Sequence, residues 1–147
     1  MQGESVVILL VEDEPAHAEI VKRNFENSRI LNRMYHVSDG QEALDYLYQR
    51  DAYSQPDTAP RPGLILLDLR LPKVDGLEVL KIIKNDPSLQ SIPVVVLTTS
   101  NAETDIAKAY NSSANSYLVK PVDFQQFSKL LEAIGYYWVA WNRSPRN

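Results

Sequence analysis

At 147 residues the chain is sized for one domain around a single core. With 44% hydrophobic and 23% charged residues it reads as a water-soluble globular protein. No apolar run approaches the ~20 residues of a membrane span, and no secretory leader is visible, so the expected location is the cytoplasm with no membrane contact. The absence of cysteine excludes disulfides, thiolate metal sites and cysteine catalysis, and a net charge of −4 with scattered Lys and Arg argues against nucleic acid as a partner.

Taken in order, Ser5 to Val11 is an apolar run that reads as a buried strand, and it ends in Glu12-Asp13-Glu14. Pro15 suits a first helical turn, and Ala18, Val21 and Phe25 carry an apolar stripe to about Asn27. Tyr35-His36-Val37 is a short strand. Asp39-Gly40 opens a helix with Ala43, Leu44 and Leu47 on its apolar face. Residues 49–62, with Pro56, Pro60 and Pro62, read as a surface loop of unassigned role rather than a domain linker.

Leu64 to Leu67 is four apolar residues running straight into Asp68, the signature of a strand covered on both faces. Asp75-Gly76 precedes a helix carrying Leu77, Val79, Leu80, Ile82 and Ile83, which stops near Asp86-Pro87. Ile92 to Leu97 is a strand ending in Thr98-Thr99-Ser100, followed by a short helix from Ala102 to Asn111. Tyr117 to Val119 is a fifth strand, ending in Lys120-Pro121. Asp123 caps a last helix running to roughly Trp141. His17 and His36 lack ligand partners at metal spacing and read as ordinary polar positions.

Five alternations of strand and helix call for an α/β, doubly wound, five-stranded parallel sheet with helices on both faces. The order 2-1-3-4-5 suits five strands and sets the first and third side by side at the switch point. Glu12, Asp13 and Asp68 then converge, and three carboxylates at one place require a cation. An all-oxygen donor set points to a hard ion, Mg²⁺, with Mn²⁺ able to substitute. Thr98 and Lys120 end the next two strands on the same edge. A hydroxyl, an ammonium and a divalent ion around one carboxylate suit the oxygens of an incoming phosphoryl group. Asp68 is the expected nucleophile, forming an acyl phosphate.

Over essentially its whole length the sequence resembles the receiver domains of two-component response regulators. The carrying residues are Val11-Glu-Asp13, Leu67-Asp-Leu-Arg-Leu-Pro-Lys-Val-Asp-Gly76, Ile92-Pro-Val-Val-Val-Leu-Thr98 and Tyr117-Leu-Val-Lys-Pro121. Arg61-Pro62, Pro93 to Ser100 and the aromatic tail around Tyr137-Trp138 resemble the stand-alone regulators of cyanobacterial phytochromes. The resemblance implies a flavodoxin-like receiver fold over 1–147, with a C-terminal aromatic extension from about 136 to 147 and no output domain. It implies that Asp68 accepts phosphoryl from the phosphohistidine of a sensor histidine kinase of phytochrome type, the chain itself being no enzyme on other substrates. It implies Asp13 on the metal directly, Glu12 in support, and the Arg70 backbone carbonyl completing the protein ligands. Thr98, Thr99 and Lys120 would meet the phosphoryl oxygens, Tyr117 would turn inward behind Thr98, and Pro121 would follow Lys120 through a cis bond. Glu12 departs from the commoner Asp, and Thr99 from a smaller residue.

Two rivals use similar parts. A haloacid-dehalogenase-type phosphatase shares the strand-end Asp, Thr and Lys, but needs an acid where Arg70 stands. A flavodoxin-type electron carrier shares the sheet order, but Glu12-Asp13-Glu14 would repel its phosphate. The last expectation is a homodimer built on the final helix. Phe124, Phe127, Leu131, Ile134, Trp138 and Trp141 recur at spacings of three and four, with Leu130 and Tyr137 beside them. A continuous helix to Trp141 would be ~28 Å long and overhang strands of ~17 Å, leaving Tyr136, Tyr137, Trp138 and Trp141 in water on a monomer.

Overall fold

A computed structural model describes residues 5–55 and 57–141, with the side chains of 140 and 141 outside the description. Its elements are β1 (Val6–Val11), α1 (Pro15–Glu26), β2 (Asn32–Val37), α2 (Gly40–Tyr48), β3 (Leu64–Leu67), α3 (Gly76–Asn85), β4 (Val94–Thr98), α4 (Glu103–Asn111), β5 (Ser116–Val119) and α5 (Phe124–Ile134). A 3-10 turn spans Asp51–Tyr53, and a π-helical segment, Gly135–Trp141, follows α5. The sheet is wholly parallel in the order β2-β1-β3-β4-β5, as the alternation predicts.

Alternation along the strands divides the core in two. Leu9, Val11, Ile65, Leu67, Val94 and Val96 face α2 and α3, where Ala43, Leu44, Val79, Leu80 and Ile83 meet them. Ile8, Leu10, Leu64, Leu66, Val95 and Leu97 face the other way, onto Ala18, Val21 and Phe25 of α1 and Phe127, Leu131 and Ile134 of α5. All four residues of β3 are buried, because both faces of the central strand are covered.

Carboxylate caps start the helices where the sequence places them. Asp39 accepts from the Glu42 amide at 2.7 Å, and the Glu42 carboxylate returns to the Ser38 amide at 2.9 Å, a reciprocal box. Asp75 caps α3 through Leu77, and Asp123 caps α5 through Gln126. Gly76 is required for a different reason: a Cβ there would collide with the Asp68 carbonyl oxygen and the Leu69 backbone. The chain leaving Asp68 is thus pressed against the start of α3, with the Gly76 amide on the Leu69 carbonyl at 2.9 Å.

The loop after α2 is anchored by tyrosines. Tyr46 donates to the Pro60 carbonyl at 2.8 Å, Tyr53 donates to Glu42 at 2.6 Å, and the two rings meet edge to face. At the amino end of β4, Lys84 of α3 donates to the Gln90 and Ile92 carbonyls and to the Asn115 side chain. Asn115 in turn accepts from the Val94 amide, tying the beginnings of β4 and β5 to one helix.

Two expectations need correction. Among the described residues no peptide bond is cis, so Lys120 and Pro121 are joined in trans. That is the form an X–Pro bond favours by about 0.5–1 kcal/mol. At the C-terminal end, Gly135 takes a right-handed helical conformation and the helix does continue, but as a π-winding. The change of winding breaks the three-and-four stripe. Trp138 is not left in water; with Val139 and Leu130 it packs against the α1-side core, half-buried. Tyr136 and Tyr137 remain exposed, with Tyr137 set edge-on to Trp138 at 5.0 Å. The Trp141 side chain lies outside the described residues.

Candidate functional site

Strand register builds the site. Val11 pairs with both Val37 and Leu67, so the next residues, Glu12 and Asp68, leave adjacent strand ends at the same level. The Asp68 amide donates to the Val11 carbonyl at 3.1 Å, and the Glu12 amide to the Val37 carbonyl at 3.0 Å. Across the sheet, Thr98 pairs with Val119, and the Lys120 amide donates to the Thr98 carbonyl at 2.7 Å. The sheet edge therefore delivers Glu12, Asp13, Asp68, Thr98 and Lys120 to one place, as predicted.

Most of this cluster is dry. Glu12, Asp68, Thr98 and Lys120 are buried, while Asp13 is exposed. Oxygens of Glu12, Asp13 and Asp68 lie within 4.8 Å of one another. Lys120 Nζ donates to Glu12 Oε1 at 2.5 Å and to Asp68 Oδ2 at 3.0 Å. The second Asp68 oxygen accepts from the Arg70 amide at 3.2 Å. Burial pushes the Asp68 carboxyl up, but Lys120, the Thr98 side chain and the Arg70 amide together outweigh it and hold the group below the usual carboxylate range. Glu12 goes the other way: burial raises it to about 7 against the pull of Lys120. The exposed Asp13 carboxyl and the low-pKa Asp68 carboxyl thus sit together with Glu12, the deeply buried and more basic member of the set.

Of the three acidic groups only Glu12 and Asp68 touch the single ammonium, which leaves the exposed Asp13 carboxyl beside them without a cation of its own among these residues. An all-oxygen set with one exposed member suits a hard divalent cation that keeps part of its water. Thr99 is exposed beside buried Thr98. Tyr117 is half-buried and its hydroxyl donates to the Ser100 carbonyl at 2.8 Å, tying β5 to the loop after β4.

Sequence reasoning missed three side chains. His17 Nδ1 lies 3.0 Å from Lys120 Nζ, supplying the ammonium with a third partner. His36 Nε2 lies 2.8 Å from the Glu12 carbonyl and steadies the acidic loop. Asp105, buried in the first turn of α4, accepts from Arg70 Nη2 at 2.5 Å and from Ser100 Oγ at 2.6 Å. The signal for His17 was its place in the first turn after the acidic cluster. Asp105 offered none, because its partners lie 35 and five residues away.

The family model of the response regulator receiver domain matches residues 8–132. The chain belongs to that family. This receiver is 48% identical over 139 residues to a probable methanogenesis regulatory protein, FilR2, of Methanothrix harundinacea, covering 95% of this chain and 87% of that protein. It is 43% identical over 133 residues to response regulator Rcp1 of Synechocystis, covering 90% and 88%. The Mn²⁺-bound form of Rcp1 superposes with a TM-score of 0.90 at 41% identity, over 96% of this chain and 99% of that one. The phosphorylated cyanobacterial phytochrome response regulator RcpA gives a TM-score of 0.92 at 40% identity, over 97% and 100%. The phosphatase and electron-carrier alternatives find no support. Among the described residues no helix of the receiver is long and apolar enough to cross a membrane.

Proposed function

We propose that this receiver takes a phosphoryl group on Asp68 from the phosphohistidine of a sensor kinase and signals through its own surface. The observation that carries the reading is a low-pKa carboxylate at a strand end, ringed by Lys120, Thr98 and a cation-fitting acidic cluster. Asp13, Asp68 and the Arg70 backbone carbonyl would hold Mg²⁺, with Glu12 in support and Mn²⁺ able to take its place. The bound ion would supply positive charge to the phosphoryl oxygens.

An Asp68 oxygen attacks phosphorus, the phosphorus–nitrogen bond of the donor breaks, and its electron pair returns to the imidazole. Lys120 then exchanges a carboxylate partner for a phosphoryl oxygen, and the Thr98 hydroxyl donates to another. Thr99 lines the mouth. Turnover is confined to the protein's own aspartate, so the receiver is a signalling protein rather than an enzyme, acting in the cytoplasm as a single receiver domain with an aromatic extension from about 136. Incubation with acetyl phosphate and Mg²⁺ should add one phosphoryl mass, a gain prevented when chelator is present from the start and absent in Asp68→Asn. Equal uptake by Asp68→Asn would refute the assignment.

The likeness to RcpA supports a phytochrome-type kinase as donor. The likeness to FilR2 supports a different input, since that relative is described as a methanogenesis regulator. Transfer from an autophosphorylated phytochrome-type kinase at a rate far above acetyl phosphate favours the first. A homodimer is part of the reading, through exposed Tyr137 with Trp138, Leu130 and Trp141 along the last helical segment. Sedimentation of the full chain against one ending at Gly135 tests it: a full chain that stays monomeric at tens of micromolar, phosphorylated or not, rejects it.

A further inference from the structure

We propose that His17 is a positioning residue for phosphoryl transfer, holding the Lys120 ammonium in line with Asp68. The inference rests on the reading of Asp68 as phosphoryl acceptor. An ammonium has three N–H donors, and Lys120 spends them on Glu12 Oε1, Asp68 Oδ2 and His17 Nδ1. Because Lys120 can only donate, Nδ1 must accept, which fixes the ring as neutral with its proton on Nε2. His17 is the one partner in the set that is not a carboxyl group.

That difference matters when an anion arrives. Glu12 would be drawn to the cation and Asp68 becomes a mixed anhydride, the acyl phosphate, so both carboxylate contacts to Lys120 weaken. The imidazole keeps its hold without competing for the incoming negative charge. Its own position is fixed from a third element: the His17 ring stands edge-on to Phe127 of α5, with centroids 6.0 Å apart and planes at 88°. A lysine stem has four rotatable bonds, and one fixed acceptor removes much of that freedom before the reaction begins.

His17→Phe keeps a ring against Phe127 and removes the acceptor. His17→Asn puts a carbonyl oxygen at the δ position and restores one. With acetyl phosphate and saturating Mg²⁺, followed by intact mass, His17→Phe should lower the maximal phosphorylation rate on the order of tenfold. The donor concentration for half-maximal rate and the thermal midpoint should stay near those of the parent protein. His17→Asn should recover most of the rate. A purely structural role would shift the midpoint and would not be rescued by Asn. If the parent protein takes up phosphoryl and His17→Phe matches its rate, the inference is overturned. If Asn is as slow as Phe, it is overturned likewise. If the parent protein takes up none, the reading of Asp68 fails first and takes the inference with it.

Discussion

Lys120 and Arg70 both bring positive charge to the surroundings of Asp68, and both are paired to carboxylates, yet water separates their behaviour. The Lys120 side chain is 2% exposed, between Glu12 and Asp68 at 2% and 9%. The Arg70 side chain is 63% exposed and pairs with Asp105, itself at 9%. A buried charge that loses its partner costs several kcal/mol, whereas a pair with one end in water is worth ~0.2–1 kcal/mol. The first arrangement is therefore fixed machinery. The second can be exchanged cheaply, and through Asp105 and Ser100 it connects Arg70 to the Tyr117 hydroxyl.

The sharpest way to break the contrast is at the buried end. Lys120→Met keeps an apolar stem and removes the donor. Phosphorylation should slow by roughly 10²–10³-fold, the usual cost of losing a preorganised charge-stabilising group. A time course of mass gain checks this, and a loss under about fivefold would place Lys120 with the exposed pair instead.

Next comes pH. Glu12 is raised by burial to about 7 in the folded protein, above its unfolded value in the ordinary carboxylate range. Below that unfolded value both states hold the proton. Between it and about 7 the folded protein alone does, so stability falls as pH rises through this window and then levels off. In metal-free buffer, the thermal midpoint of Glu12→Gln should gain on that of the parent protein from pH 5 to pH 7.5. A flat or shrinking gap would mean that Glu12 stays ionised throughout.

The smallest effect belongs to Arg70. A side chain two residues beyond Asp68 is long enough to cover a phosphoryl group against water, but here the Arg70 guanidinium is held by Asp105. If the pair opens on phosphorylation, Arg70→Ala should speed loss of phosphate by no more than about fivefold, the rate equivalent of ~1 kcal/mol. Asp105→Ala, which frees the guanidinium, should slow it. Decay of the acyl phosphate after removing the donor measures both, and an unchanged Arg70→Ala lifetime removes shielding altogether.

How far each region could be read beforehand follows from the same distinction. The ends of β1, β3 and β4 were legible because apolar runs covered on both faces admit one arrangement, and β5, a partly covered edge strand, because its short apolar run stops at Lys120-Pro121. The caps at Asp39, Asp75 and Asp123 were legible because they act within three residues. β2 begins at Asn32 rather than Tyr35 because an edge strand tolerates polar residues such as Asn32 and Arg33, which blur its pattern. The π-winding after Ile134 was invisible, since helical spacing reads the same in sequence whether or not Trp138 packs against the core on the α1 side. His17 and Asp105 escaped because their meaning lies in long-range partners, and Asp105 lies on a helix without a side-chain cap of its own.

Lys84 adds a mechanical consequence. By fastening the Gln90 and Ile92 carbonyls and Asn115 to α3, it clamps β4 and β5 at their amino ends, on the side of the sheet away from Asp68. Each strand is therefore rooted at the end opposite its tip, Thr98 in β4 and Val119 in β5. Displacement produced by chemistry at the tip cannot be absorbed by sliding the whole strand. It must be spent as bending near the tip, where the loop carrying Ser100 and the first turn of α4 stand.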